Sequence, residues 1–194
     1  MVNAAANPGR HPLADRGHDL YETPAVAVQA LLAAEKLPRV VWEPACGRGA
    51  IGLVLQAAGH TVYASDLVDR GYGTGGINFL GARKAPPGVK AIVTNPPFKL
   101  AQEFVEKALE LVPHVVMLAR LAFLESERRS HILEPGSGLR TVHVFRNRLP
   151  MMNRDGWVGP QSGSAVAYAW FAWERGHVGP AAINRISWKP LPDR

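Results

Sequence analysis

The chain has 194 residues, enough for one substantial hydrophobic core and too few for two ordinary domains. Hydrophobic residues make up 47% and charged residues 20%, which is typical of a globular protein, and a single cysteine excludes a disulfide framework. The formal net charge is +6, and residues 120–194 carry 11 Lys and Arg against 6 Asp and Glu. A basic C-terminal portion suits phosphate binding, but it is equally compatible with a surface that is merely basic.

The N-terminal residues lack the apolar segment of a signal peptide, and the longest apolar run, residues 165–173, is too short to span a membrane. These two features predict a cytoplasmic protein without a membrane partner. Residues 1–20 are rich in small residues, proline and histidine without periodicity, which predicts a mobile N-terminal arm. We expect residues 21–194 to form a single domain.

Helical and strand patterns alternate along the chain. Thr23 and Pro24 form a helix start, an N-cap followed by proline. In chain order, the patterns predict a helix at 25–36, strand 39–42, helix 50–58, strand 61–65, a loop at 67–88 with a brief strand at 77–79, strand 91–94, helix 100–111, strand 114–118, helix 124–133, and strands 141–145 and 165–173. This alternation is typical of a parallel α/β sheet covered on both faces, and the last two strands predict an antiparallel pair at its edge.

A glycine-rich turn follows the first strand. Residues 47–52 read GRGAIG, and Asp66 ends the next strand 19 positions after Gly47. This spacing is typical of a nucleotide-binding βαβ unit, in which backbone approaches the ligand and the acid binds ribose hydroxyls. Taken alone, the turn also suits a dehydrogenase or a plain tight turn. The intervening residues 43–46 (EPAC) lengthen the loop and add an acid, so the turn predicts a nucleoside-like ligand of open identity.

A second motif, Asn95-Pro96-Pro97-Phe98, ends a buried strand at the edge where open α/β sheets bind ligands. An exocyclic amine is a poor nucleophile because its lone pair is delocalised into the ring. The Asn95 carboxamide oxygen and the Pro96 carbonyl can accept both amine N–H bonds and turn the lone pair toward an electrophilic methyl group. Pro96 and Pro97 fix the backbone, and Phe98 offers a flat face for an unstacked base.

With these motifs, the sequence resembles class I S-adenosylmethionine-dependent amino-methyltransferases, especially the small DNA adenine-N6 methyltransferases of bacteria and phages. The resemblance covers about two-fifths of the chain, and its motif order is that of the gamma group. The strand pair with Trp170, Phe171 and Trp173 resembles the C-terminal sheet edge of phage-type members. Four stretches carry the resemblance: Tyr21-Glu22-Thr23-Pro24, 43–49 (EPACGRG), 78–80 (NFL) and 95–98 (NPPF).

The resemblance implies a Rossmann-like class I methyltransferase fold, a mostly parallel twisted sheet flanked by helices, with S-adenosylmethionine as cofactor and no metal. Asn78 stands where the family usually has Asp, so its bond to the cofactor adenine would be weaker or differently arranged. The implied cofactor-binding residues are Tyr21 and Thr23 at the methionine end, Glu43, Ala45, Gly47 and Gly49 along the turn, Asp66 at the ribose, Asn78 and Phe79 at the adenine, and Asn95 beside the methyl group.

The basic loop 146–163 offers Arg146, Arg148, Arg154 and Trp157 for phosphate contacts and gap filling, although its composition also suits an ordinary solvated loop. Only residues 174–194 follow the last predicted strand, too few for a separate target-recognition region, so we expect relaxed or short sequence specificity on duplex or single-stranded DNA.

Other readings of the same motifs stay open. An RNA base or a protein glutamine amide suits the Asn95 motif equally well, and cytosine N4 is possible although that chemistry more often shows Ser at this position. A non-catalytic nucleic-acid-binding module of the same fold is a further alternative. A dehydrogenase would need hydride-transfer residues that the sequence does not show.

Overall fold

The computed structural model describes residues 22–151 and 165–189, which form one seven-stranded sheet in the order β2-β1-β3-β4-β6-β5-β7. The strands are β1 Val40–Glu43, β2 Thr61–Ala64, β3 Ala91–Thr94, β4 His114–Arg120, β5 Leu139–Phe145, β6 Tyr168–Glu174 and β7 Ala182–Ile186. The predicted N-terminal arm and the site residues Tyr21, Arg154 and Trp157 lie outside the described residues.

The strand directions bring the carboxyl ends of six strands to the same edge of the sheet. β1 pairs in parallel with β2 and β3, β3 with β4, and β5 with β7, whereas β6 runs antiparallel to both β4 and β5. Every strand except β6 therefore ends at the same edge. This arrangement confirms the predicted mostly parallel α/β sheet with an antiparallel pair.

β7 extends the sheet beyond that pair and was not predicted. Its sequence, AINRI, is exposed except at Ile186, so it lacks the buried apolar run that marks the other strands.

Within residues 22–151 and 165–189, four α-helices flank the sheet: α1 Ala25–Ala34, α2 Gly52–Ala57, α3 Ala101–Leu111 and α4 Ser130–Leu133. The N-cap of α1 is Pro24, not the predicted Thr23. The predicted strand 77–79 is wrong, since a 3-10 turn spans Phe79–Gly81. The predicted helix 124–133 is largely wrong as well, because Arg129 Nε donates to the Phe123 carbonyl and only the last four residues become α-helical.

Two hydrophobic clusters lie on opposite faces of the sheet, and alternate residues of β6 contribute to each. Trp170 packs with α1 and α2, and its Nε1 donates to the carbonyl of Ala27 at 3.0 Å. Trp173 packs with α3 on the other face, and its Nε1 donates to the carbonyl of Ile132 at 2.7 Å. Burial of such side chains stabilises the fold by about 1.5–3 kcal/mol each. No helix among the described residues is both long and apolar enough to cross a membrane.

A buried ionic cluster joins the end of α1 to the sheet. Glu35 accepts a hydrogen bond from His143 Nε2 at 2.8 Å and pairs with Arg140, while His114 Nε2 lies 3.4 Å from its carboxylate. Burial raises the pKa of Glu35, but the nearby imidazole of His114, the hydrogen bond from His143 and the charge of Arg140 outweigh it and hold the pKa well below the usual value. The cluster therefore keeps a charge inside the fold at neutral pH.

Candidate functional site

A cavity of about 220 Å³ opens at the shared edge of the sheet, where β1, β2 and β3 end. It collects residues that lie far apart in the sequence, as the predicted ligand edge of an open α/β sheet requires. The predicted site residues that line it are Thr23, Glu43, Ala45, Gly47, Asp66, Asn78, Phe79, Asn95, Pro96, Pro97 and Phe98.

Asp66 ties the glycine turn to the end of β2. Its Oδ2 accepts a hydrogen bond from the backbone N–H of Gly47 at 2.8 Å, and its Oδ1 accepts one from the N–H of Val68 at 2.9 Å. Gly47 has φ +53°, a conformation that favours glycine. Each carboxylate oxygen has a second lone pair, so Asp66 can hold the turn and still accept a hydrogen bond from a ligand in the cavity.

Tyr72 covers the outer side of this turn and was missed in the sequence. A Cβ at Gly49, which has φ +90°, would lie 2.8 Å from the Tyr72 ring, and one at Gly52 would lie 2.2 Å from its hydroxyl. The thiol of Cys46 donates to the carbonyl of Tyr72 at 3.3 Å. Gly49 therefore makes room for an aromatic ring and does not line the cavity. The signal available was a tyrosine set among the glycines of residues 71–76.

Glu43 supplies an acidic group at the base of the cavity. Its side chain is 1% exposed, and Oε2 has no hydrogen-bond partner among the described residues. Burial raises the pKa of Glu43 well above the usual value; the backbone N–H of Gly52 lowers it in part, and the nearby charge of Asp66 raises it further. A ligand that brings a cation or a hydrogen-bond donor would satisfy this oxygen. The neighbouring Cys46 is no nucleophile, since burial raises the pKa of its thiol to about 12.

The second motif meets the first through Thr23. Asn95 Nδ2 donates to Thr23 Oγ1 at 3.1 Å, and Thr23 is 4% exposed. This contact between residues 72 positions apart turns the amide nitrogen toward α1 and the amide oxygen to the other side. Phe98 begins a 3-10 turn, and its ring centroid lies 5.9 Å from that of Tyr168.

The predicted adenine contacts have structural roles in the wall of the cavity. Asn78 Oδ1 accepts a hydrogen bond from the N–H of Leu80 at 3.1 Å and so caps the 3-10 turn. The Phe79 ring is 2% exposed and packs against Trp42 and Phe104, with centroid separations of 5.2 and 4.8 Å. Phe79 thus forms a rigid wall more than an exposed stacking face.

Basic side chains cluster farther along the same edge. Arg148 lines a second cavity of about 700 Å³, which shares Glu22, Thr23 and Ala50 with the first. Arg146 and Arg148 also line a smaller cavity of about 280 Å³ beside Tyr168. Two residues missed in the sequence, Trp188 and Lys189, follow β7 and line the second cavity. The sequence feature that could have indicated them is an aromatic residue followed directly by a basic one.

Solved structures similar to this one share its architecture. A candidate RNA methyltransferase from Pyrococcus horikoshii is 15% identical, with a TM-score of 0.58 over 81% of this chain and 87% of that chain. A modification subunit of a candidate type I restriction enzyme from Vibrio vulnificus is 16% identical, with a TM-score of 0.56 over 94% and 49%. A candidate class I S-adenosylmethionine-dependent methyltransferase from Listeria monocytogenes is 12% identical, with a TM-score of 0.53 over 89% and 68%.

The fold is the Rossmann-like fold of class I methyltransferases. Neither a protein-family model nor a curated protein sequence matches the chain. In this fold, the described residues combine one acidic cavity, one amide-bearing motif and a neighbouring basic edge. Among those residues, no group of three or more His, Cys, Asp or Glu side chains has an arrangement that could hold a metal ion, and this includes the Glu35 cluster.

Proposed function

We propose that this protein transfers a methyl group from S-adenosylmethionine to the N6 amino group of adenine in DNA. The observation that carries the proposal is the shared cavity, in which Asn95 and Phe98 lie with the acidic residues Glu43 and Asp66. One cavity can then hold a methyl donor and the amine that receives the methyl group. Proximity of this kind is a large part of catalysis in a displacement reaction.

The cavity fits S-adenosylmethionine chemically. This cofactor supplies a methyl group made electrophilic by its sulfonium sulfur. The buried Glu43 Oε2 lacks a partner among the described residues and can accept from an ammonium group, and Asp66 can accept from ribose hydroxyls. Gly47 lets the backbone approach the ligand closely. The Listeria protein of the same fold is described as S-adenosylmethionine-dependent.

Asn95 would act on the substrate amine. Because its amide nitrogen is bonded to Thr23, its oxygen is turned away from Thr23 and can accept an N–H of the amine. The Pro96 carbonyl would accept the other N–H and draw the nitrogen toward tetrahedral geometry. The nitrogen lone pair then forms the new N–C bond as the S–C bond breaks and its electrons return to sulfur. The extra proton leaves the nitrogen for water.

The basic edge supports nucleic acid as the substrate. Arg146 and Arg148 lie at the edge that carries Asn95, and the whole chain has a net charge of +6. A second candidate is an RNA base, since the Pyrococcus protein of similar fold is described as an RNA methyltransferase. We favour DNA because the Tyr-x-Thr-Pro element precedes the cofactor turn, and its Thr23 contacts Asn95.

The deciding experiment measures transfer of radiolabelled methyl from S-adenosylmethionine to unmethylated DNA, RNA and protein in parallel. Wild type is compared with Asn95→Ala and with Gln56→Ala, a control at an exposed amide side chain of α2. We expect N6-methyladenine in DNA with wild type and Gln56→Ala, and none with Asn95→Ala. Label in RNA or protein would overturn the DNA assignment. Label in DNA that persists in Asn95→Ala would overturn the proposed role of the motif.

We also propose relaxed or short sequence specificity from a single domain that acts on duplex or single-stranded DNA. Arginines that can contact phosphates position a protein on DNA without reading bases. Mapping the methylated adenines on a mixed-sequence plasmid tests this proposal. Modification confined to one long motif would contradict it.

A further inference from the structure

Arg120 lies at the end of β4, directly beside the Asn95 motif. Its guanidinium carbon is 4.5 Å from the centroid of the Phe98 ring, and Phe98 also packs on Tyr168. A cation at this distance from an aromatic face is attracted by about 0.5–2 kcal/mol. Arg120 is exposed, so the contact positions a solvated cation next to the ring on which the substrate base would rest.

Arg129 makes a similar cation–π contact that serves the local structure. Arg129 lies 4.6 Å from the Phe123 ring centroid, nearly the same distance. Its guanidinium also donates to the carbonyls of Phe123 and Glu125, so it holds its own loop together. The Arg120 side chain makes no hydrogen bond or ion pair with the described residues. Its N–H groups thus stay directed to solvent at the site.

We propose that Arg120 binds a backbone phosphate of the nucleotide whose base is methylated; this inference rests on the proposed function. The guanidinium is always charged and matches the geometry of two phosphate oxygens. A phosphate is joined to its base through one sugar, so a cation beside the base-binding ring is within reach of it. Stacking on Phe98 holds the guanidinium in place before the nucleic acid arrives.

The position of Arg120 in the sheet extends the argument. In sheet order, Asn95 follows β3, Arg120 ends β4, Arg148 follows β5 and Lys189 follows β7, and the antiparallel strand β6 lies between β4 and β5. Neighbouring strands lie about 4.8 Å apart, so Arg120 lies one strand from the Asn95 motif, whereas β5 lies three strands from β3. Among these three basic residues, Arg120 is therefore the one whose strand adjoins β3.

The test compares Arg120→Gln and Arg120→Lys with Arg128→Gln, an exposed arginine of the same loop. Binding of a fluorescent adenine-containing oligonucleotide is measured at increasing salt concentration. Loss of one phosphate contact should lower the slope of log affinity against log salt by about 0.7–0.9 for Arg120→Gln. Arg120→Lys keeps the charge and should keep most of the slope, and Arg128→Gln should match wild type.

A second measurement locates the phosphate. Each phosphate of the oligonucleotide is replaced in turn by a neutral methylphosphonate. At one position, wild type should lose about tenfold or more in affinity, whereas Arg120→Gln should lose little further.

Two results would overturn the assignment. One is a wild-type salt slope in Arg120→Gln, and the other is an equal loss in Arg128→Gln, which would mean general surface charge. Methyl transfer by wild type decides the proposed function, and the salt slope of Arg120→Gln decides the phosphate contact. Failure of one can therefore be told from failure of the other. Cofactor affinity, measured by calorimetry, should be the same in all of these variants.

Discussion

Replacing Thr23 with valine removes one hydroxyl and keeps the shape of the side chain. The change isolates the hydrogen bond that Thr23 Oγ1 accepts from Asn95 Nδ2 at 3.1 Å. Thr23 itself is buried, at 4% exposure, whereas the Asn95 amide is half-buried at the cavity. A typical intramolecular hydrogen bond contributes about 0.5–1.5 kcal/mol. If the whole of that contribution serves to orient the amide in the transition state, its loss should lower kcat by about two- to tenfold.

The assay is methyl transfer to DNA at saturating cofactor and substrate. Thr23→Ser is the matched control, because it keeps the hydroxyl and should retain most of the wild-type kcat. Calorimetry of S-adenosylmethionine binding is needed as well, since Thr23 lines the cofactor cavity. A wild-type kcat in Thr23→Val would refute the reasoning. Equal losses in the serine and valine variants would point to packing instead of the hydrogen bond.

Two further predictions concern buried carboxyl groups. Burial raises the pKa of Glu43, and a bound cofactor ammonium would favour its deprotonated form; wild-type affinity for S-adenosylmethionine should then rise as the pH increases through this raised pKa. Glu43→Gln should flatten this dependence in calorimetry, and a flat wild-type profile would contradict the prediction. Glu35→Gln breaks a buried ion pair and should lower the free energy of unfolding at pH 7 by about 3–5 kcal/mol in urea titrations. Since the folded pKa of Glu35 is lowered, its contribution is present above the unfolded value of 4.5 and lost as pH falls. The difference in free energy of unfolding between wild type and Glu35→Gln should become smaller at acid pH. A variant as stable as wild type at pH 7 would disprove the role of the cluster.

The sequence predicted strands β1, β2 and β3 well, because their residue patterns indicate strands and the alternation of helices and strands along the chain indicates a parallel sheet. The strand patterns at β1, β2 and β3 lead into Glu43, Asp66 and Asn95, and neighbouring parallel strands end at one edge of the sheet. That geometry alone brings the glycine turn and the NPPF motif into one cavity. The contact of Thr23 with Asn95 was beyond sequence reasoning, because it depends on how α1 packs against the sheet.

Other errors have a common physical origin in long-range contacts. The pattern at 124–133 is helical, but the Arg129 side chain binds carbonyls of its own loop in competition with helix formation. The contact of Gly49 with Tyr72 was also not foreseen, because Tyr72 lies 23 positions further along the chain and packs against the turn only in the folded protein. The sequence did not indicate a role for Arg120, because its contact with the Phe98 ring forms only when β3 and β4 pair.

At the carboxyl edge of the sheet, the cavity residues and the exposed basic residues lie on different strands. The residues proposed to hold the cofactor and the amine lie at or just after the ends of β1, β2 and β3, whereas exposed basic residues lie at the end of β4 and after β5 and β7. Exposed positions after a strand tolerate exchange at small cost in stability. Libraries that vary the segments after β5 and β7 should therefore change the nucleic-acid preference of the proposed methyltransferase without altering the residues that line its cavity.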